Sequence, residues 1–308
     1  MELLQQPVTV SVFILVYNQE GLVTQMIESI LAQQTQYRFE LVIGDDASTD
    51  ATLAICKEYQ QRFPDQITLV TSPVNTGLIQ NFIRTLQQCT GNYIAICDGD
   101  DYWTDPLKLE KQVSFLEAHP TYDLVFAQKK DLWPDGSVQF QEREEIPETT
   151  SFEDLIQGNY IASVTAVFRN KIRGHSIPSW WARLPYGDWP LYLWTLADGG
   201  SIKYLKEPVA MYRMAIGQSA QLRKKHSDVL LVKRFILSNL QKDPHFVSKN
   251  EVIQRALKQV EEGLMRSFQR ERNLVKGTYY FWKCFWRTPS FRLLKTYLGA
   301  LFKKRPKA

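Results

Sequence analysis

The sequence predicts an α/β fold, a mostly parallel sheet covered by helices, and three observations carry that reading. Four strand-then-helix alternations succeed one another between Val10 and Asp101, the pattern that parallel βα units leave in a chain. The acidic and polar residues of this region collect just after the strands, where loops and helix N-termini converge in such sheets and ligands bind. The composition of the 308 residues, 44% hydrophobic and 23% charged, is that of a globular chain and excludes disordered and fibrous classes.

Residues 8–16 form a β-branched and aromatic run short enough for a buried strand. It ends at Tyr17-Asn18-Gln19-Glu20-Gly21, and Met26, Ile27, Ile30 and Leu31 then share one helical face. Residues 39–43 predict a second strand, closed by Gly44-Asp45-Asp46-Ala47-Ser48-Thr49-Asp50. Ser48 or Thr49 is expected to cap the helix that carries Leu53, Ile55 and Tyr59 and stops before Pro64. Ile67–Thr71 is a third strand, and Asn75-Thr76-Gly77 turns into a helix through Phe82, Ile83 and Leu86. A fourth strand, 93–97, runs straight into Asp98-Gly99-Asp100-Asp101. Beyond a helix at 107–116 the chain reads as looser and β-rich, with strands at 123–127 and 165–169. A Trp- and Pro-rich stretch, 178–194, then turns helical near Leu191, and from about Gln221 the pattern is helical, broken at Asp243-Pro244 and Thr288-Pro289.

The net charge of +4 hides an asymmetry: residues 1–220 hold 16 Lys and Arg against 27 Asp and Glu, residues 221–308 hold 21 against 6. Two parts with different partners follow, 1–220 and 221–308, because summed charge sets non-specific attraction. Nucleic acid and an anionic membrane surface are the candidates for the basic part. No apolar run approaches the ~18 residues of a spanning helix. The N-terminus carries no basic flank before an apolar core, so export by that route is not expected. Cys56, Cys89, Cys97 and Cys284 stand far apart with no CxxC spacing, which favours thiols in a reducing cytoplasm over a disulfide framework or zinc site.

Asp98, Asp100 and Asp101 place three carboxylates in four residues directly after a buried strand. Left bare, such a cluster repels itself and raises its own pKa values. A divalent cation removes that conflict, and hard carboxylate oxygens suit Mg²⁺ or Mn²⁺ with phosphates completing the shell. The plainer alternative is a solvated turn before a helix, for which Asp105-Pro106 reads as the cap. The second acidic strand end, Asp45-Asp46, favours a cation with a diphosphate. Neither GxGxxG nor GxxxxGK[ST] occurs, against a dinucleotide oxidoreductase and a P-loop phosphotransferase.

Taken in order, Val12-Phe13-Ile14-Leu15-Val16-Tyr17-Asn18, Gly44-Asp45-Asp46-Ala47-Ser48-Thr49-Asp50, Asn75-Thr76-Gly77, Gly91-Asn92-Tyr93-Ile94-Ala95 and Asp98-Gly99-Asp100-Asp101-Tyr102-Trp103 resemble a family 2 glycosyltransferase of the GT-A fold. The likeness is close over 7–128 and looser to about 220. It implies inverting sugar transfer from a nucleoside-diphosphate sugar, with Mg²⁺ or Mn²⁺. By position, Tyr17 and Glu20 would border the nucleotide, Asp46 would hydrogen-bond the base, and Asn81 would face the nucleotide from the start of its helix. Asp98 would take the ribose side and Asp100 the metal. Asp101, Tyr102 and Trp103 would line the sugar and acceptor side, although Trp103 reads equally as core.

Tyr186-Gly187-Asp188-Trp189-Pro190-Leu191 resembles the family's acceptor motif and puts Asp188 at the catalytic-base position. An inverting displacement needs one carboxylate beside the acceptor hydroxyl to take its proton; a helix N-cap is the other role open to Asp188. One departure stands out. Where the family often has Tyr-Arg-x-His, with a histidine near the metal, this chain has Tyr212-Arg213-Met214-Ala215. Gln218 or Ser219 could substitute, and Arg213 fits either the diphosphate or a structural ion pair.

Residues 272–308 hold ten Lys and Arg, no acid and nine aromatics. Aromatic faces beside cations suit a helix lying on an anionic membrane, and equally a helix packed on protein. Phe281, Trp282, Phe285 and Trp286 lead that pattern, continued by Phe291, Leu294, Leu298, Leu301 and Phe302. No nucleic-acid recognition module accompanies the basic residues. The expectation is a cytoplasmic, bacterial-type transferase, peripheral on the inner face of the plasma membrane, acting on a glycan or lipid-linked acceptor. The rivals are a sugar-nucleotide nucleotidyltransferase, which needs a phosphate loop that 17–21 does not supply, and a degenerate nucleotide-binding scaffold at the membrane.

Overall fold

A computed structural model of the chain describes residues 9–216, 225–287 and 289–301. The chain divides into two compact units, residues 1–220 and 221–308, and each is taken by itself. Gln218, Ser219 and Phe302 lie outside the described residues.

The first unit is an α/β sandwich. Its elements run β1 (Val10–Val16), α1 (Val23–Leu31), β2 (Phe39–Asp45), α2 (Thr52–Arg62), β3 (Ile67–Thr71), α3 (Leu78–Leu86), β4 (Tyr93–Ile96), β5 (Tyr102–Trp103) and α4 (Lys108–Ala118). The long β6 (Tyr122–Leu132), short β7 (Val138–Gln139) and β8 (Thr149–Thr150), α5 (Phe152–Leu155), β9 (Val167–Arg169), α6 (Asp188–Thr195) and β10 (Ser201–Arg213) follow. The strands form one sheet in the order β3-β2-β1-β4-β9-β6-β10-β5, with β7 on β6 and β8 on β10. The first four neighbours are parallel, β9 runs against both β4 and β6, and β10 returns parallel to β6.

Helices on both faces explain why β1 is buried at all seven positions, as strands covered on two sides must be. Val10, Val12, Ile14 and Val16 pack in one cluster with Met26, Ile27 and Ile30 of α1, Tyr59 of α2 and Val113 of α4. Phe13 points the other way and meets Phe82 of α3 edge-on, ring centroids 4.8 Å apart. All four cysteines are buried and unpaired.

Three local expectations change. The helix α2 is not capped by Ser48 or Thr49; Asp50 Oδ1 accepts from Thr52 N at 2.9 Å and Glu20 Oε2 from Ala51 N at 2.8 Å. Trp103 is core: it is 4% exposed and donates from Nε1 to Val164 O at 3.0 Å. The thirteen-residue β10, unread in the sequence, is the partner that β5 needs.

The second unit is helical: α7 (His226–Leu240), α8 (Asn250–Arg270), α9 (Leu274–Arg287) and α10 (Phe291–Leu301). Along α8 the buried residues Ile253, Leu257, Val260, Leu264 and Phe268 recur at helical spacing. Glu261 sits among them, 2% exposed, and receives Arg234 at 3.0 Å, Lys283 at 2.8 Å and Arg287 at 2.9 Å. A buried carboxylate is tolerable only with such partners, so two of the tail's cations are held within the unit. The helix α9 has two unlike faces. Gly277, Tyr280, Phe281 and Cys284 are buried, whereas Val275, Tyr279, Trp282 and Trp286 form an outward stripe, 83%, 58%, 46% and 77% exposed.

Candidate active site

The site is built where β1, β2 and β4 end. Val16 of β1 lies beside Asp45 of β2, and the loops after them are stitched together. Asn18, in the left-handed region at φ 52°, donates from its N to Ser48 Oγ at 3.1 Å and accepts from Thr49 N at 2.8 Å. Gln19 N donates to Thr52 Oγ1 at 2.7 Å. Tyr17 stands half-buried at the mouth of this seam, and Glu20 is committed to the first turn of α2.

Asp46 is almost wholly used inside the fold. It is 3% exposed. Its Oδ1 accepts from Thr76 N at 2.9 Å and Thr76 Oγ1 at 2.7 Å, its Oδ2 from Gly77 N at 2.7 Å, and Arg84 lies 3.6 Å away. Asn81, 2% exposed, donates to Gly44 O at 2.7 Å and accepts from Arg84 Nη2 at 2.8 Å. These two predicted nucleotide residues hold the strand end and the 75–77 turn in shape from behind.

The loop after β4 is pressed onto the end of β1. Gly99 N donates to Leu15 O at 3.0 Å, and a Cβ at position 99 would stand 2.3 Å from Gln19 Oε1 and 2.6 Å from Val16 Cγ1. Only glycine fits there. Asp98 and Asp100 therefore leave the loop on either side of a fixed point. Asp101 turns inward, 1% exposed, and accepts from Arg213 N at 2.8 Å, which removes it from the sugar side. The Arg213 guanidinium donates to the Asp100 backbone O and to Gln25 Oε1 and lies 4.9 Å over the Tyr102 ring. Arg213 thus ties the loop to α1 through two neutral oxygens. Two residues on, Ala215 takes φ 61°, left-handed backbone, at the place where the resemblance sets a histidine.

Asp188 is the first residue of α6, and Gly187 before it is the N-cap, so Asp188 is not itself the cap. A Cβ at Gly187 would stand 2.6 Å from the Phe82 ring, so α3 packs directly against the backbone that presents Asp188. Asn159 Nδ2 donates to Asp188 Oδ2 at 2.7 Å.

Electrostatics join Asp98, Asp100 and Asp188. Burial first, then the charges of Asp100 and of Asp188, push the Asp98 carboxyl up to about 7. Burial likewise raises Asp100, with the Arg213 charge opposing, and Asp101 is raised by burial and by Asp100. Tyr192, one turn beyond Asp188, is raised by burial and then by Asp188 and Asp98; its hydroxyl finds no hydrogen-bond partner among the described residues. Carboxylates are crowded here, and burial holds Asp98, Asp100 and Asp101 above the ordinary carboxylate range. Sequence reasoning missed Asn159, Ser163 and Tyr192; Gly158-Asn159 signals only a turn.

Fold and site define a glycosyltransferase-type domain of the GT-A kind. The chain belongs to glycosyl transferase family 2, which residues 11–173 match. It is 37% identical over 202 residues to an uncharacterized protein of Mycobacterium tuberculosis, across 64% of this chain and 56% of that one. It is 45% identical over 116 residues to the putative glycosyltransferase EpsE of Bacillus subtilis, across 38% of this chain and 41% of that protein. The chain thus spans about half the length of these curated relatives. In fold it is similar to Staphylococcus aureus TarS 1–349 in complex with UDP, with a TM-score of 0.60 and 19% identity over 95% of this chain and 79% of that one.

Proposed function

We propose that this chain moves a sugar from a nucleoside-diphosphate sugar to a hydroxyl of a glycan or lipid-linked acceptor, with inversion. One observation carries the reading: in a glycosyl transferase family 2 chain, Asp98 and Asp100 from one loop and Asp188 from another segment share one electrostatic site.

In this reading Asp188 takes the acceptor proton as the hydroxyl oxygen attacks the anomeric carbon, and the nucleoside diphosphate leaves on the opposite side. Tyr17 borders the nucleotide, with Glu20 fixing the loop beside it. Asp46 and Asn81 shape the base pocket through the 75–77 turn, and Asp98 faces the ribose. The donor set suits Mg²⁺ or Mn²⁺: hard oxygens, carboxylates raised first by burial, and Asp100 as the protein ligand. No group of three Asp, Glu, His or Cys among the described residues is arranged to hold an ion, so diphosphate oxygens complete the shell. When bound, the ion neutralises the leaving diphosphate.

The same proposal sets residues 272–308 against an anionic membrane surface, with the Val275, Tyr279, Trp282 and Trp286 stripe as the contact, and the protein peripheral on the inner face of the plasma membrane. No helix among the described residues is long and apolar enough to cross a membrane. Deleting 272–308 would strip the buried face of α9 from α8 and leave Glu261 one of three cations, so point changes are the cleaner test. W282A/W286A should lower co-sedimentation with anionic vesicles while circular dichroism stays unchanged; equal vesicle binding by variant and wild type rejects this surface.

The transfer reading is tested with a panel of UDP- and GDP-sugars plus Mn²⁺, reading release of the nucleoside diphosphate. Release from one donor, lost in EDTA, is expected. Binding without release on every donor would favour the degenerate scaffold, for which the Ala215 departure is the supporting feature.

A further inference from the structure

The segment between α5 and β9 reaches both carboxylates that face the reaction. Asn159 Nδ2 donates to Asp188 Oδ2 at 2.7 Å, and its Oδ1 accepts from Ile161 N at 3.1 Å. Four residues on, Ser163 Oγ donates to Asp98 Oδ2 at 3.3 Å. The backbone between them is fixed from beneath. Ile161 and Val164 are buried, Trp103 Nε1 donates to Val164 O at 3.0 Å, and Gln112 Nε2 donates to Thr165 O at 2.9 Å. The orientation of the Asn159 amide follows from its partners: a backbone N–H can only donate, and an ionised carboxylate can only accept.

We infer that Asn159 is a positioning residue for glycosyl transfer, its amide holding the Asp188 carboxylate oriented toward the acceptor hydroxyl. The inference rests on the reading of Asp188 as the base. Two contacts fix Asp188 where it stands: Asn159 Nδ2 donates to its Oδ2 at 2.7 Å, and the Gly187 backbone before it is packed so closely on the Phe82 ring that a Cβ there would stand 2.6 Å from it. A neutral N–H donor orients the carboxylate without adding a cation to compete for the diphosphate. The two ends of the amide divide the work: Oδ1 closes an Asx turn that fixes the side chain, and Nδ2 acts on Asp188.

That division makes the test sharp. Asn159→Asp keeps the oxygen that closes the turn and replaces the donor with a second carboxylate facing Asp188. Asn159→Ala removes both ends. Nucleoside-diphosphate release is measured on whichever UDP- or GDP-sugar the wild type turns over best, with thermal melting alongside. N159A should lower kcat ~10–100-fold, the usual cost of losing such a supporting contact, with the donor KM within about twofold. N159D should fall lower still while melting close to wild type. In a D188N background N159A should cost nothing further, because the two act as one unit. A purely structural turn predicts the reverse order, N159D near wild type and N159A impaired, and that result overturns the inference. So does an undiminished effect of N159A in the D188N background. D188N turning over at the wild-type rate sinks the base reading, and the inference with it. Should N159D melt early, Asn159→Ser, whose hydroxyl can close the same turn, takes its place with the same expected loss of kcat; wild-type turnover by that variant also overturns the inference.

Discussion

Two strand ends in this chain carry the same sequence signature and end in opposite states. Asp46, after β2, meets three donors from Thr76 and Gly77 with Arg84 nearby. After β4, Asp98 accepts from the Ser163 hydroxyl, and the Arg213 guanidinium bonds to the Asp100 backbone oxygen rather than to its carboxylate. Both carboxyls are raised by burial. The oxygens of the first acid are engaged by the fold, and in the proposed reading the second pair is kept for a ligand. What separates them is the next segment of chain. The 75–77 turn returns over β2 with its N–H groups pointing at Asp46, whereas β10 returns beside β5 and takes only Asp101. An acidic cluster therefore reads as a site only where the fold withholds donors from it.

The comparison breaks most visibly in rate. Asp188→Asn, which preserves shape and removes the proton acceptor, should lower turnover by ~10²–10⁴-fold with donor binding nearly intact; steady-state kinetics against donor concentration measures both. Asp100→Ala should cost about 10²–10³-fold, weaken nucleoside-diphosphate binding by calorimetry and abolish its dependence on Mn²⁺. Neither change should lower the melting temperature, because Asp188→Asn keeps an oxygen for Asn159 Nδ2 and Asp100→Ala leaves in place the backbone oxygen that Arg213 grips. A loss of stability in either variant would move these acids into the class of Asp46.

How much of this the sequence discloses follows the range of the interactions. β1 to β4 were legible because strands buried on both faces leave apolar runs such as Val12-Phe13-Ile14. Asp98, Asp100 and Asp188 were legible as ordered motifs. β10 was not, because Ser201–Arg213 alternates lysines with apolar residues, is interrupted by Glu207-Pro208 and is held by register shifts against β6. Its consequence, the Arg213 clamp on the Asp98–Asp101 loop, was equally hidden. Asn159 was invisible for the same reason: its partner is 29 residues away. In the second unit the sequence offered an outward or an inward aromatic face for α9, and the helix has both.

The third prediction attacks the other side of the comparison. Asp46→Ala leaves Thr76 N and Thr76 Oγ1 without their acceptor, while Gly77 N keeps Asn75 Oδ1 at 3.1 Å. Orphaned donors cost about 1–3 kcal/mol each where water cannot reach them, and this turn is partly open, so a total near the low end, about 2 kcal/mol, is expected. That is ~4–8 °C of melting temperature for a chain of this size. Donor affinity should fall with it, because the turn that shapes the pocket loosens. A stable D46A protein with weakened donor binding would instead assign Asp46 directly to the nucleotide.

The last prediction concerns Asp98, where the sign should reverse. Its carboxyl lies at about 7 against an ordinary value of 3.8, so the folded state holds its proton over a range in which the unfolded chain has released it. Stability contributed by this group is therefore lost as pH rises from about 4 to about 7, and above that the full penalty of an ionised, crowded carboxylate remains. Asp98→Asn removes the charge and can still accept from Ser163 Oγ. In EDTA, thermal unfolding of wild type and D98N should coincide near pH 4. The variant should then gain as pH climbs, and above pH 7 it should stay ahead by roughly 0.5–2 kcal/mol. Because Asp98 is partly accessible, solvent screening sets the lower end of that range. A curve for D98N that lies below wild type at pH 8 would mean that Asp98, like Asp46, is holding the fold, and the contrast between the two strand ends would disappear.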